Sequence, residues 1–160
     1  MKGVSMVEKP YLVVVNGPNL NRLGLRLPEL YGSQTLSDVI QLVRSVADTY
    51  RVEVRDIQSN HEGALIDFLQ EHGPGAMGII INPGALGHYG VALRDCLEDI
   101  KRPTIEVHIT NVHMRETFRH HLVLSAVVTG QIVGLGVDVY RYAAEALCNR
   151  MKREEAGGQP

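Results

Sequence analysis

Two segments constrain the fold most: YLVVVN (11–16) and AMGIIIN (76–82). Each is a short apolar run that stops at Asn followed by Gly-Pro or Pro-Gly. A strand with one face in water alternates polar and apolar residues. A run with no alternation reads as a strand buried on both faces, and such strands need a covering layer on each side. The segments between them supply those layers. TLSDVIQLVRSVADTY (35–50) sets Leu36, Val39, Ile40, Val43, Val46, Ala47 and Tyr50 at helical spacing. Thr35 with Asp38 resembles a capping pair, with Asp in place of the longer Glu. EGALIDFLQEH (62–72) is helical and stops at Gly-Pro-Gly, and YGVALRDCLEDI (89–100) is a helix broken before Pro103. RVEVRDI (51–57) alternates as a strand does. TIEVHI (104–109) and GQIVGLG (130–136) are the fourth and fifth strands. A short helix covers RETFRHH, and VDVYRYAAEALCNRMK (137–152) closes the chain.

This alternation predicts an α/β fold: a five-stranded parallel sheet with helices on both faces, in the flavodoxin-like order 2-1-3-4-5. One catalytic domain spans 11–152, with a flexible extension at 1–10 and a charged, Gly-rich, disordered tail at 153–160. In such sheets ligands bind outside the carboxyl ends of the strands, at the switch point between strands 1 and 3. The residues just past the strands are NGPNLN, NPGALGH and HITNVH. Asn, Gly and Pro also dominate ordinary turns. Three polar strand ends converging on one edge favour a site.

Charge narrows the partners. The formal net charge is −2, and aromatic residues are 5% of the chain. A chain that lives on nucleic acid carries a basic excess or stacking aromatics, so no nucleic-acid partner is expected. No apolar run is long enough to cross a bilayer, and the N-terminus lacks the apolar core of a signal peptide. Cys96 and Cys148 form no CxxC pair and read as reduced thiols. The expectation is a cytoplasmic, soluble protein with no membrane partner.

The densest chemistry lies in IEVHITNVHMRETFRHH (105–121), which holds His108, His113, His120 and His121 with Arg115 and Arg119. No HExxH or paired-cysteine template is present, so no metal is expected. The glycines of NPGALG and GLGVD match neither phosphate-loop pattern. An acid–base pocket for an anion fits better. Glu106 and His108 share a strand face by the period of two, and a carboxylate beside an imidazole orients it and favours its protonated form. Arg115 and Arg119 are four apart and share a face if the segment is helical, where they would clamp an anion or simply meet solvent. The long loop 19–33 carries Arg22, Arg26 and Tyr31. A tyrosine among guanidiniums suits a general base near neutral pH, and a staple against the next helix suits it equally.

The motifs NGPNLN, PELYG, QSNHEG, INPGA, VALRD, EVHITNVHMRETFRHH and GLGVDVYR occur in one order over about residues 11–150. In this the sequence resembles the type II 3-dehydroquinate dehydratases. The resemblance implies a cofactor-free lyase that dehydrates 3-dehydroquinate to 3-dehydroshikimate by anti elimination through an enolate. It implies Tyr31 as the base, with Arg26 and Arg115 lowering its pKa. Asn19 would hold a water that stabilises the enolate. His108 would protonate the departing hydroxyl, with Glu106 orienting it. Asn82, His88 and Arg119 would bind the substrate's hydroxyls. Ile109 and Thr110 would bind its carboxylate, Ile109 by its backbone N–H and Thr110 by its hydroxyl as well. Asp95 would reach Arg119 of a neighbouring subunit in a dodecamer built from trimers. His113 would add to the anion-binding network, while His120 and His121 would be structural or interface residues.

The sequence departs from that family in places. Leu27 stands where the family usually has Glu. Gly87, Tyr89 and Gly90 surround His88 where it usually has Thr-His-Thr-Ser. Thr110 replaces Ser, and Met114, Thr117 and Leu122 replace Ala, Glu and Ser. The segment GHYG keeps two alternatives open: the same chemistry on an analogue, for example an amino analogue of dehydroquinate, or a non-catalytic protein that binds a small carboxylate.

Overall fold

Strand β1 (Tyr11–Asn16) is buried at every position. Its side chains point alternately to the two faces of the sheet, and both faces are covered. The computed structural model describes residues 9–25, 29 and 32–158. Within them the sheet has five parallel strands: β1, β2 (Glu53–Gln58), β3 (Gly78–Asn82), β4 (Thr104–His108) and β5 (Gly130–Val133), in the order β2-β1-β3-β4-β5. This is the expected order.

Four helices lie on the sheet among the described residues: α1 (Leu36–Thr49), α2 (Glu62–His72), α3 (Val91–Ile100) and α4 (Asp138–Glu155). Helices α1 and α4 cover one face, packing Val39, Val43, Ala143 and Leu147 against Leu12, Val14, Ile80, Ile105 and Val107. Helices α2 and α3 cover the other, packing Leu65, Leu69, Leu93 and Leu97 against Val13, Val15, Ile79 and Ile81. Among the described residues, no helix is long and apolar enough to cross a membrane.

The helix ends follow local chemistry. Thr35 caps α1: its hydroxyl accepts from the Asp38 amide at 3.2 Å, and the Asp38 carboxylate accepts from the Thr35 amide at 2.8 Å. The shorter Asp closes the capping box as a Glu would. Helix α3 begins at Val91 rather than 89, because Gly90 offers no side-chain cap. Instead Glu62 of α2 accepts from the Leu93 amide at 3.1 Å. Helix α4 runs through Glu155, so the first three residues of the expected disordered tail are helical, and an Arg150–Glu154 pair at 2.9 Å bridges that last turn. Gly157, in the left-handed region at φ 77°, follows it. The expected extension at 1–10 falls almost wholly outside the described residues.

Between β4 and β5 the short helix expected over RETFRHH is a 3-10 turn, Thr117–His120, followed by a loop to residue 129. This loop matters for the site. The face of β4 turned toward α2 and α3 carries Thr104, Glu106 and His108, all buried, and Leu124 of the loop packs into the core on that side.

Candidate active site

The strand ends meet where strands β1 and β3 part company with their following segments. The Gly17 amide donates to Asn82 O at 2.8 Å, which locks NGP against NPG. A Cβ on Gly17 would lie 2.2 Å from Pro83 O, and Gly84 sits at φ +57° with Pro18 O 3.0 Å from its would-be Cβ. No larger residue fits the first position, and the second favours glycine by conformation. The QSN motif after β2 braces the same loop. Gln58 donates to Gly17 O at 3.2 Å, and the Asn60 side chain accepts from the Asn19 amide at 2.9 Å. Asn19 is thereby held in the left-handed region, φ 70°.

Asn82 is fixed from behind. Its side-chain oxygen Oδ1 accepts from the Gly84 amide at 3.2 Å, and its Nδ2 donates to the Tyr140 hydroxyl at 2.9 Å. Tyr140 in turn donates to Asn16 Oδ1 at 2.6 Å. Burial pushes the Tyr140 hydroxyl far above the usual tyrosine range, with the Asn82 hydrogen bond opposing that rise. The phenol therefore stays protonated and keeps its donor. One N–H of Asn82 remains for the pocket.

The two pocket histidines are each held through one nitrogen. His88 ends the 3-10 turn Gly84–His88, and its Nδ1 lies 3.0 Å from His121 O. A carbonyl only accepts, so Nδ1 carries the proton and neutral His88 offers Nε2 as an acceptor. His108 ends β4, with Nε2 2.7 Å from Glu106 Oε1, and both side chains are buried. The second oxygen of Glu106 accepts from Gln131 Nε2 at 2.7 Å.

Beyond β4 the chain turns back over the pocket. The Asn111 side chain accepts from the His113 amide at 3.1 Å and caps the turn Val112–Met114. Arg115 then reaches the Thr110 hydroxyl at 3.5 Å, and Arg119 donates to Glu116 at 2.8 Å. The Glu116 carboxyl is held below its ordinary range, first by its own backbone amide and then by Arg119. His120 lies 3.1 Å from Arg115 O and its ring tilts against His113 at 5.9 Å, so His120 braces the turn. His121 supports the site through its carbonyl. Arg115 and Arg119 both line the pocket and both face Glu116, at 3.6 and 2.8 Å, without an α-helix.

One concave pocket gathers these pieces. It is lined by Asn19, Arg22, Asn82, His88, His108, Ile109, Thr110, Arg115 and Arg119, with Leu20, Leu23 and Val112 as apolar wall. Its described lining holds three arginines and no Asp or Glu. Such a lining favours a small anion over a cation, with Glu116 sharing two of these arginines from outside the pocket. Among the described residues no three His, Cys, Asp or Glu side chains gather as a metal site would require. Gly87, Tyr89 and Gly90 do not line the pocket, and Tyr89 is 63% exposed on the outer surface.

The geometry brings together eight of the expected site residues at the pocket wall, with Glu106 directly behind His108. Tyr31 and Arg26 lie outside the described residues. Asp95 is not in this pocket. It stands on α3 with its side chain 65% exposed, 3.6 Å from Arg94.

The match with known proteins decides among the readings of such a pocket. The family model described as Dehydroquinase class II matches residues 10–148. The chain belongs to the class II dehydroquinase family. A 3-dehydroquinate dehydratase from Roseiflexus castenholzii is 56% identical over 136 residues, covering 85% of this chain and 87% of the relative. A catabolic 3-dehydroquinase from Pyricularia oryzae is 48% identical over 152 residues, covering 93% and 96%. The crystal structure of a type II dehydroquinase from Butyrivibrio crossotus superposes with a TM-score of 0.83 at 44% identity, covering 87% of this chain and 97% of that one.

In this member of the class II dehydroquinase family, several residues behind the pocket wall carry weight that periodicity alone does not reveal. Asn16 and Tyr140 lie in segments that read as ordinary strand and helix. Gln131 reads as one polar residue in an edge strand. The available signal was polarity in the wrong place: Gln131 interrupts GQIVG, and Asn16 ends a fully apolar run.

Proposed function

We propose that the protein dehydrates 3-dehydroquinate to 3-dehydroshikimate by anti elimination through an enolate, using no metal or cofactor. The observation that carries this is a buried Glu106–His108 pair, 2.7 Å apart, opening onto a pocket with three arginines in its described lining. Membership of the class II dehydroquinase family supplies the substrate.

Tyr31, as phenolate, takes the proton from the carbon next to the ketone. The electron pair moves onto the ketone oxygen, where a water held by Asn19 stabilises it. His108 then gives a proton to the leaving hydroxyl. The enolate collapses, the C–O bond breaks and water departs. Tyr31 has gained one proton and His108 has lost one, so a net proton returns from the first to the second before the next turnover. In this reading Arg26 and Arg115 favour the phenolate, and Glu106 orients His108. Ile109 and Thr110 take the substrate carboxylate, and Asn82, His88 and Arg119 take its hydroxyls. Such fixed orientation lowers the barrier by settling in advance the entropy of bringing substrate and catalytic groups together.

Asp95 points to assembly. Exposed on α3 and outside its own pocket, it is free to meet Arg119 of an adjoining subunit, as expected for trimers built into a dodecamer. Sedimentation of the purified protein tests this: a monomer overturns it. A cytoplasmic setting is supported by the two cysteines, both unpaired and buried.

The decisive experiment mixes purified protein with 3-dehydroquinate and EDTA and follows the ultraviolet absorbance of the conjugated enone. Undiminished turnover is expected. A folded protein with no turnover overturns the reading, and turnover abolished by EDTA overturns its metal-free part.

A further inference from the structure

Among the described residues Glu106 is the one buried carboxylate. It is 0% exposed, on a strand whose other face is aliphatic core. A buried carboxylate needs partners for both oxygens. His108 takes Oε1. The partner of Oε2 comes from outside the pocket, from the edge strand β5: Gln131, the register partner of Glu106.

The orientation of the Gln131 amide is determined twice. A carboxylate only accepts, so the amide nitrogen faces Glu106. That same nitrogen lies 3.0 Å from Ser125 Oγ. Ser125 spends its single proton on Leu122 O at 2.8 Å, and so must accept from Gln131. Both N–H bonds of Nε2 are therefore used, one on Glu106 and one on Ser125, and a flipped amide would lose both. The terminal torsion of a Glu side chain is broad. Held by Oε1 alone, the carboxylate would swing and carry the His108 ring with it. Held by both oxygens, its plane is fixed.

The same loop steadies the other histidine. His121 O meets His88 Nδ1, and the Val123 amide donates to Gly87 O at 2.8 Å. Residues 121–125, in place of a covering helix, thus anchor both pocket histidines.

We propose that Gln131, seated by Ser125, is a positioning residue for the general acid: it fixes the Glu106 carboxylate and, through it, the His108 imidazole. Substrate binding does not pass through Gln131, since it does not line the pocket. Its loss therefore falls on kcat and leaves KM alone. The proposal rests on the dehydratase reading, so the experiment has one readout with substrate and one without.

Full-length Gln131→Leu and Gln131→Glu are compared with the parent protein. Leu keeps the bulk and removes the donor; Glu sets an acceptor against Glu106. We expect kcat to fall by about 10- to 100-fold, as when a group that orients a metal-ligating histidine is lost. KM stays within about twofold, and Gln131→Glu is the worse variant. In the substrate-free protein, the downfield proton resonance of the His108 Nε2–H bonded to Glu106 shifts or broadens in both. Unchanged kcat with an unmoved resonance overturns the proposal. If the parent does not act on 3-dehydroquinate, the dehydratase reading fails while the resonance still tests Gln131. Should the Gln131 variants not fold, Ser125→Ala at an exposed loop position takes their place. It frees the amide without removing it, and a resonance identical to the parent's then overturns the proposal.

Discussion

Strands β3 and β4 are neighbours of equal length, and every residue of both is buried. In β3, GIIIN, both faces are aliphatic until the final Asn. In β4, TIEVH, Ile105 and Val107 pack toward α1 and α4 while Thr104, Glu106 and His108 point the other way. The aliphatic strand holds the sheet together by removing apolar surface from water. The polar one adds to stability only as far as its groups are paired, because each unpaired buried group costs free energy. Thr104 donates to Arg102 O at 2.9 Å, and Glu106 is held by His108 and Gln131. The same degree of burial thus does two jobs: in β3 it makes a core, and in β4 it makes a water-poor bed for an acid–base pair.

The contrast is sharpest for His108→Ala. Removing the proposed acid is expected to lower kcat by roughly 10²- to 10⁴-fold, and the melting temperature should fall too, because the buried Glu106 Oε1 loses its partner. Tyr31→Phe should lower kcat likewise by removing the proposed base. Steady-state rates beside thermal melts measure both, and retained turnover removes the residue from the mechanism. Ile80→Ala is the mirror experiment. It opens a cavity between β3 and the α1–α4 layer and should cost about 2–5 kcal/mol of stability, read by urea unfolding. The folded fraction should keep its full kcat, and a large loss of kcat would break the division between the strands.

Tyr140→Phe probes the one polar group that ends β3. It removes the acceptor of Asn82 Nδ2 and the donor to Asn16, so the amide is freed to rotate. A rise in KM of several-fold, about 1 kcal/mol, is expected with a smaller change in kcat. An unchanged KM would mean that the Gly84 amide alone orients Asn82.

The smallest effect lies far from the site, at the cap of α1. The Asp38 carboxyl is held below its ordinary range first by the Thr35 amide and then by the Thr35 hydroxyl. A folded value below the unfolded one adds stability at neutral pH, and that stability fades as pH falls below about 4. Thr35→Ala removes the hydroxyl's share. Its melting temperature should sit slightly under the parent's at pH 7, and the gap should narrow on acidification. A gap that widens in acid would contradict the assignment.

Much of this was open to inspection in the chain itself. Uninterrupted runs such as YLVVVN have nowhere to go but the middle of a two-sided sheet, and helical spacing in 35–50 follows from the need to present one apolar face to it. The strand-end motifs fall on one rim because parallel strands all point their carboxyl ends the same way. Boundaries were less legible. Helix α3 starts late because its cap is borrowed from Glu62, twenty-nine positions before Val91. Strand β5 is shorter than GQIVGLG because Gly134 and Gly136 turn the chain at φ 84° and 63°.

The sequence by itself determined the layers, the strand order and the family, since these depend on periodicity and on motifs a few residues long. Tertiary structure decided which polar atoms face one another. Gln131 meets Glu106 across twenty-five residues, and Tyr140 meets Asn16 across 124. Such pairs are set by strand register and by the packing of α4 on the sheet. A hydrogen bond needs its donor and acceptor placed within tenths of an ångström, whereas hydrophobic burial tolerates far looser placement. Residue type along the chain is enough to fix the second kind of interaction, and only the folded geometry fixes the first.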